Sequence, residues 1–419
     1  SVAESGTTDT FTVVLDAEPA SDVVLTITSG DTGEATVTST LTFTSANWDT
    51  PQTVTVTGVD DDLVDGTITS TITATVDDSN SDNDFDAVAD QTVSVTTTDD
   101  DVAGFTIAVT DSSTSVGESG TTDTFTVVLD AEPASDVVLT ITSSDTGEAT
   151  VNSPLTFTSA NWDTAQTVTV TGVDDDLIDG TVASTLTISI VDASSDNDFD
   201  AVADQTVSAA TTDDDVAGFT IAETDGSTSV AESGTTDTFT VVLDAEPASD
   251  VVLTITSGDT GEATVTSALT FTSANWDTAQ TVTVTGTDDD VIDGTVASTI
   301  TLSINDGSSD NNFDSVSDQT VSVTTTDDDA AGFTITELSG TSVNESGTTD
   351  TFTVVLDAEP ASDVVLTITS SDTGEATVTS TLTFTSANWD TPQTVTVTGV
   401  DDDIIDGTVT STLTISIVD

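Results

Sequence analysis

An all-β fold, a tandem array of immunoglobulin-like β-sandwich domains, is predicted by three observations. Apolar and polar residues alternate in Val-, Ile-, Thr- and Phe-rich blocks such as TFTVVL, VVLTIT, TVTV, TISI and TVSV, the period-two pattern of pleated, half-buried strands. Four tryptophans, Trp48, Trp162, Trp276 and Trp389, each inside TFTSANWDT, recur at spacings of 114, 114 and 113 residues. The block ESGTTDTFTVVLDAEPASDVVLTITS occurs four times unchanged, starting at Glu4, Glu118, Glu232 and Glu345. A period this long exceeds a solenoid turn and suits one domain per repeat.

In the second repeat the pattern predicts strands over roughly 104–109, 122–129, 136–142, 149–157, 166–171, 181–191 and 205–210. Seven strands with short turns indicate a two-sheet sandwich. Phe125, Val127 and Leu129 on one strand and Leu186, Ile188 and Ile190 on another are expected to face inward, with threonines toward water. Trp162 is expected to plug the end of the core.

Repeats two and three open with AGFTIA at Ala103 and Ala217, and repeat four with AGFTIT at Ala331; repeat one has no counterpart. The expected domains are therefore 1–101 (first strand missing), 102–215, 216–329 and 330–419 (last strand missing). Ragged ends read as a window on a longer repetitive polypeptide, with strand donation by a neighbouring subunit as the alternative.

Composition narrows the function. The 419 residues include no Lys, Arg, His, Cys, Met or Tyr, against 77 Asp and Glu, for a formal net charge of -77. Imidazole, thiol, amine and phenol groups are all missing, so most catalytic chemistry has no side chain to perform it and the chain is read as no enzyme. Without cations the surface should repel nucleic acid, and no direct membrane binding is expected. Disorder is disfavoured because 35% of residues are apolar and they alternate. No run approaches the roughly 18 apolar residues of a membrane span, and no signal peptide is visible at Ser1.

Seven runs of three aspartates punctuate the chain. One kind follows TVTVTG and continues as DDDLVDG, DDDLIDG, DDDVIDG or DDDIIDG; the other lies at the junction to the next repeat, as TTDDDVAGF or TTDDDAAGF. Adjacent carboxylates repel unless a cation neutralises them. Calcium takes six to eight oxygen ligands in loose geometry, which suits carboxylates, carbonyls and water, while the absence of His and Cys disfavours zinc and copper. Solubilising charge accounts for scattered residues such as Asp16, Glu18 and Asp22, but not for triplets at two fixed loop positions.

The order SVGESG, DDDLIDG, terminal DDD resembles the Calx-beta domain of sodium–calcium exchangers and of many repetitive bacterial surface proteins, and the resemblance covers essentially every repeat. It implies that these acidic elements converge at one end of the sandwich around a small Ca²⁺ cluster. In the second repeat the implied ligands are Glu118, Asp174, Asp175, Asp176, Asp179, Asp213, Asp214 and Asp215. In the first they are Glu4, Asp60, Asp61, Asp62, Asp65, Asp99, Asp100 and Asp101, and in the third Glu232, Asp288, Asp289, Asp290, Asp293, Asp327, Asp328 and Asp329. In the fourth they are Glu345, Asp401, Asp402, Asp403 and Asp406. Glu148, in GEATV, falls near another family ligand but lacks the aromatic that usually follows, and stands outside the set.

A third acidic stretch, SDNDFDAVAD at 195–204, alternates like an EF-hand loop but has Ala at the sixth position and no final Glu. It reads as a turn anchored by Phe199, with metal binding as the lesser alternative. The resemblance implies an extracellular or cell-surface location and a calcium-rigidified fibre or adhesin stalk, with other copies of itself as partners. At roughly 40 Å per sandwich the piece would span about 150 Å. The alternatives are a carbohydrate-binding module array, which needs exposed aromatic platforms, and a carboxylate-pair hydrolase, which needs an acidic pair in a cleft.

Overall fold

Alternation decides the strands, and burial follows it. Along Val137–Ser143 the side chains of Val137, Leu139 and Ile141 are buried while Val138 and Thr140 are half-buried, and along Gln166–Gly172 the buried pair is Val168 and Val170. The computed structural model describes residues 1–405 and 407–418. Their contacts group into two units, Ser1–Asp175 with Asp179–Asp214, and Asp176–Ile178 with Asp215–Asp419. Among the described residues no helix is long and apolar enough to cross a membrane.

The second repeat, in the first unit, shows the full design. Its strands are β1 (Phe105–Val109), β2 (Thr114–Gly117), β3 (Thr122–Leu129), β4 (Val137–Ser143), β5 (Ala149–Val151), β6 (Leu155–Phe157), β7 (Gln166–Gly172), β8 (Thr181–Ile190) and β9 (Gln205–Thr212). They form a five-stranded sheet, β2-β9-β8-β4-β6, and a four-stranded sheet, β5-β7-β3-β1. The protein is thus a repeated two-sheet sandwich of immunoglobulin-like build. Two expectations change. The stretch 149–157 is not one strand, because β5 and β6 belong to opposite sheets and the chain crosses between them. An additional strand, β2, pairs in parallel with β9, Val116 opposite Thr211.

Between the sheets lie Phe125, Val127, Leu129, Leu186 and Ile188, all buried as expected, whereas Ile190 is half-buried at the edge of the cluster. Each fully buried side chain of this size stabilises by about 1.5–3 kcal/mol before entropy is counted. Trp162 is also half-buried: its ring packs on the core without being enclosed, and its carbonyl accepts the Leu129 amide at 3.1 Å. Phe199 is fully buried, so the SDNDFDAVAD turn is anchored as predicted.

Within the same unit, repeat one lacks a β1 counterpart, so Phe11, Val13 and Leu15 are only half-buried where Phe125, Val127 and Leu129 are buried. In the second unit, repeat three reproduces the nine strands, with sheets of five and four. Repeat four has the four-stranded sheet, and its other sheet has three described strands, with Leu413–Ile417 paired to Val364–Ser370. Among the described residues nothing fills the β9 position there, and the segment 341–344, opposite which that strand would run, is not a strand.

Candidate metal centre

The parallel pairing of β2 with β9 builds the site. In repeat one Val2 and Ala3 lie opposite Thr97 and Thr98, and the Glu4 amide donates to the Thr98 carbonyl at 3.1 Å. The glutamate that follows this short strand is thereby placed beside the aspartates that follow the last one. Gly58 admits the approach: a Cβ on it would overlap the Ala3 carbonyl oxygen, which is why the TVTVT strand must end in glycine.

The acidic loop is braced against the terminal triplet. Gly66 takes the left-handed conformation, φ 75°, natural only to glycine. Its amide and that of Asp65 then donate to one oxygen of Asp99, at 2.8 and 3.1 Å, and the Asp101 amide donates to the other at 2.7 Å. Glu34 joins from a third side: the Val59 amide donates to its carbonyl at 2.9 Å, just after Gly58. Carboxylate oxygens of Glu4, Asp99 and Asp101 lie within 4.8 Å of one another, as do those of Glu4, Glu34 and Asp65.

Glu4 is 1% exposed, yet neither of its carboxylate oxygens has a hydrogen-bond partner. A buried charge without a partner is strongly unfavourable. Burial first, then the charges of Asp99, Asp61, Glu34 and Asp65, pushes the Glu4 carboxyl up to about 7. Burial, followed by neighbouring carboxylates, also raises Glu34, Asp65 and Asp101.

The arrangement recurs. Glu118 is 0% exposed with both oxygens unpartnered, clusters with Glu148 and Asp179, and is pushed up to about 7 by burial and then by Asp213, Asp175, Glu148 and Asp179. Asp213 accepts from the Asp179 and Gly180 amides at 3.1 and 2.8 Å. In the second unit Glu232 clusters with Asp289 and Asp329, both its oxygens are unpartnered, and burial lifts it to about 7. Asp327 accepts from the Gly294 amide at 2.9 Å and from the Asp329 amide at 2.7 Å.

Other residues of the implied set lie further out. Asp60, Asp61, Asp62 and Asp100 are exposed, with Asp61 accepting the Leu63 amide at 2.9 Å. Asp174, Asp175, Asp176 and Asp214 are exposed in repeat two, and Asp288, Asp290, Asp293 and Asp328 in repeat three. Asp215 opens the long segment of the second unit. In repeat four Glu345 is only half-buried, Asp401 and Asp403 are exposed, and Asp402 accepts the Ile404 amide at 2.7 Å. Asp406 lies outside the described residues.

Sequence reasoning left out Glu34 and Glu262, and named Glu148 near a family ligand without placing it in the set. Each is 6% exposed with an unpartnered Oε2. The recurrent GEATV was their signal, since Ala149 opens β5 directly opposite Gly172 at the end of β7. The EF-hand-like stretch, by contrast, spends its buried carboxylate on backbone. Asp196 accepts from the Ser135 amide at 2.7 Å and the Asp198 amide at 3.2 Å.

An all-oxygen cluster of mutually repelling carboxylates around a buried glutamate fits a hard divalent cation.

No protein-family model matches the chain, and no curated protein matches it. Among solved structures it is similar to CBD12 from CALX1.2, at 12% identity over 52% of this chain and 99% of that one, with a TM-score of 0.23. It is similar to domains 4-9 of the surface layer protein SbsC, at 19% identity over 84% and 50% of the two chains and a TM-score of 0.23. A third is the endo-fucoidan hydrolase MfFcnA4 from glycoside hydrolase family 107, at 14% identity over 78% and 42%, with a TM-score of 0.21. The chain spans half the SbsC chain and less than half of the hydrolase.

Proposed function

We propose that the chain is a calcium-binding structural array, a stiff spacer of an extracellular or cell-surface protein, in which each complete repeat holds Ca²⁺ at the corner where β2, the acidic loop and the end of β9 meet. The observation that carries this reading is the state of Glu4, Glu118 and Glu232. Each is buried to 1% exposure or less with both carboxylate oxygens unsatisfied, and each faces further carboxylates. A cation supplies what the protein withholds. The resemblance of SVGESG, DDDLIDG and DDD to the Calx-beta pattern supports the same assignment.

In the first repeat the ligand set would be Glu4, Glu34, Asp65, Asp99 and Asp101, with Asp61 beside it; Glu118, Glu148, Asp179 and Asp213 hold equivalent positions in the second, and Glu232, Glu262, Asp293, Asp327 and Asp329, with Asp289 beside them, in the third. Within the first unit the acidic loop of repeat one bridges to repeat two, and within the second that of repeat three bridges to repeat four, so bound ions would stiffen those junctions. The deciding experiment is thermal unfolding in millimolar Ca²⁺ against excess chelator, with isothermal titration for stoichiometry. Calcium should raise the melting temperature strongly and magnesium weakly. Equal melting with and without chelator would exclude the assignment.

A further inference from the structure

The turn that anchors Phe199 and its counterpart Phe313 also touches the acidic loop of the preceding repeat. In the second unit the contact is explicit: the side-chain amide of Asn312 donates to the Ile178 carbonyl at 2.8 Å. Asparagine can make that bond because its side chain carries N–H donors. The same loop is held by backbone, with the Glu246 amide donating to the Asp176 carbonyl at 2.6 Å and the Ile178 amide to the Glu246 carbonyl at 3.2 Å.

Within the first unit, repeat two presents the same backbone to the loop of repeat one. Leu63 bridges Glu132, the Glu132 amide donates to the Asp62 carbonyl at 2.7 Å, and the Val64 amide donates to the Glu132 carbonyl at 3.0 Å. Val64 joins the core cluster of repeat two. The two turns agree as well: Asp196 and Asp310 both cap them at φ -58° and accept the Asp198 and Asn312 amides at 3.2 and 3.0 Å. One side chain differs. SDNDFD in repeat two is SDNNFD in repeat three, so Asp198 stands where Asn312 does, and Val64 where Ile178 does.

An ionised Asp198 has no proton to give to a carbonyl. The residue after Val64 is Asp65, one of whose oxygens is buried without a partner; its carboxyl is pushed up by burial first and then by charges that include Asp198. Glu34, 6% exposed and with an unpartnered Oε2, lies in one cluster with Asp65 and Glu4. Asp198, itself exposed, therefore adds a carboxylate to a corner already short of donors, on a chain without Lys, Arg or His.

We propose that Asp198 is a carboxylate supplied by repeat two to the cation site of repeat one, so that the Glu34 and Asp65 side of that site is completed across the junction. The inference rests on the calcium reading above and deepens it. In the second unit the Asn312 amide ties turn to loop without an ion, whereas Asp198 makes the corresponding tie conditional on one. Asp196 takes no part, because its oxygens are spent on backbone.

Asp198→Asn tests this with a side chain that repeat three already accommodates. Full chains carrying Asp198→Asn, Glu4→Gln, both or neither are titrated with calcium chloride in a calorimeter and melted in excess chelator. Asp198→Asn should weaken one class of site about tenfold, the low end of the range for losing a partner that supports a metal site. In chelator the same variant should melt higher than the parent, since an amide can donate to the Val64 carbonyl. In the Glu4→Gln background, where the repeat-one site is already disabled, Asp198→Asn should cost no further affinity, the non-additivity of residues that serve one site. An isotherm unchanged by Asp198→Asn, or a loss of equal size with and without Glu4, would overturn the proposal. Calcium binding untouched by Glu4→Gln would sink the calcium reading itself, whereas a loss with Glu4→Gln alone removes only the role of Asp198.

Discussion

Gly172 and the carbonyl of Gly117 are in such close contact that a Cβ on the former would overlap the oxygen of the latter. Gly172 ends β7 and Gly117 ends β2, and the next residue is the buried Glu118. Gly172→Ala must push these backbones apart, so it should destabilise repeat two by about 1–3 kcal/mol, the usual range for overpacking. Calorimetry should show part of the array melting early, and calcium stoichiometry should fall by the ions of one repeat.

Glu118→Gln separates a metal ligand from a structural acid. In chelator the substitution removes a charge that burial and Asp213 disfavour, so the repeat should melt about 2–8 °C higher. In millimolar calcium the order should reverse, with the variant melting below the parent. A lower melting temperature in both buffers would mean that the carboxylate is satisfied by protein alone.

Proton linkage gives a prediction without mutation. The raised groups Glu4, Glu118 and Glu232 stand at about 7 against an ordinary 4.5. A raised folded-state value means that their contribution is fully present below about 4.5 and is lost as pH rises through 7. Asp82, lowered by the amides of Ser21, Asp84 and Ala20, works the other way, but its contribution is lost only as pH falls below the ordinary carboxylate range. Between pH 5 and 8 the glutamates therefore dominate. Calcium-free protein should melt at progressively lower temperature from pH 5 to pH 8, and calcium affinity should rise over the same interval as protons cease to compete. Both trends are readable by pH-resolved calorimetry and titration.

These residues also show what the sequence could and could not reveal. Val168 and Val170 alternate with threonines, and Phe199 is the one aromatic in an acidic turn, so their burial was legible locally. The strand Thr114–Gly117 was not: it is four residues long, and its hydrogen bonds run in parallel to a strand more than ninety residues later. Without that pairing nothing in the sequence says that Glu118 meets Asp213, so the order of acidic elements and the family pattern had to stand in for geometry. Glu148 was named from the sequence but left outside the set, because the pairing of its neighbour Ala149 with Gly172 and the Thr211 hydroxyl on its carbonyl come from residues distant in sequence. Leu63–Val64 read as part of an acid loop because the aspartates around it dominate any local pattern.

Asp196 is the internal control for the carboxylates of the proposed metal corner. It is 6% exposed, but unlike Glu118 it accepts hydrogen bonds from the Ser135 amide at 2.7 Å and the Asp198 amide at 3.2 Å, so its charge is satisfied by backbone. It ties the turn that carries Phe199 to the chain just before Val137–Ser143. Asp196→Ala would orphan those amides and should destabilise repeat two by roughly 1.5–3 kcal/mol, the range for hydrogen bonds to a charged group. Since no ion is involved, the loss should be the same in calcium and in chelator, and calcium stoichiometry should be unchanged. A loss confined to calcium buffer would instead make the 195–204 stretch a second metal loop.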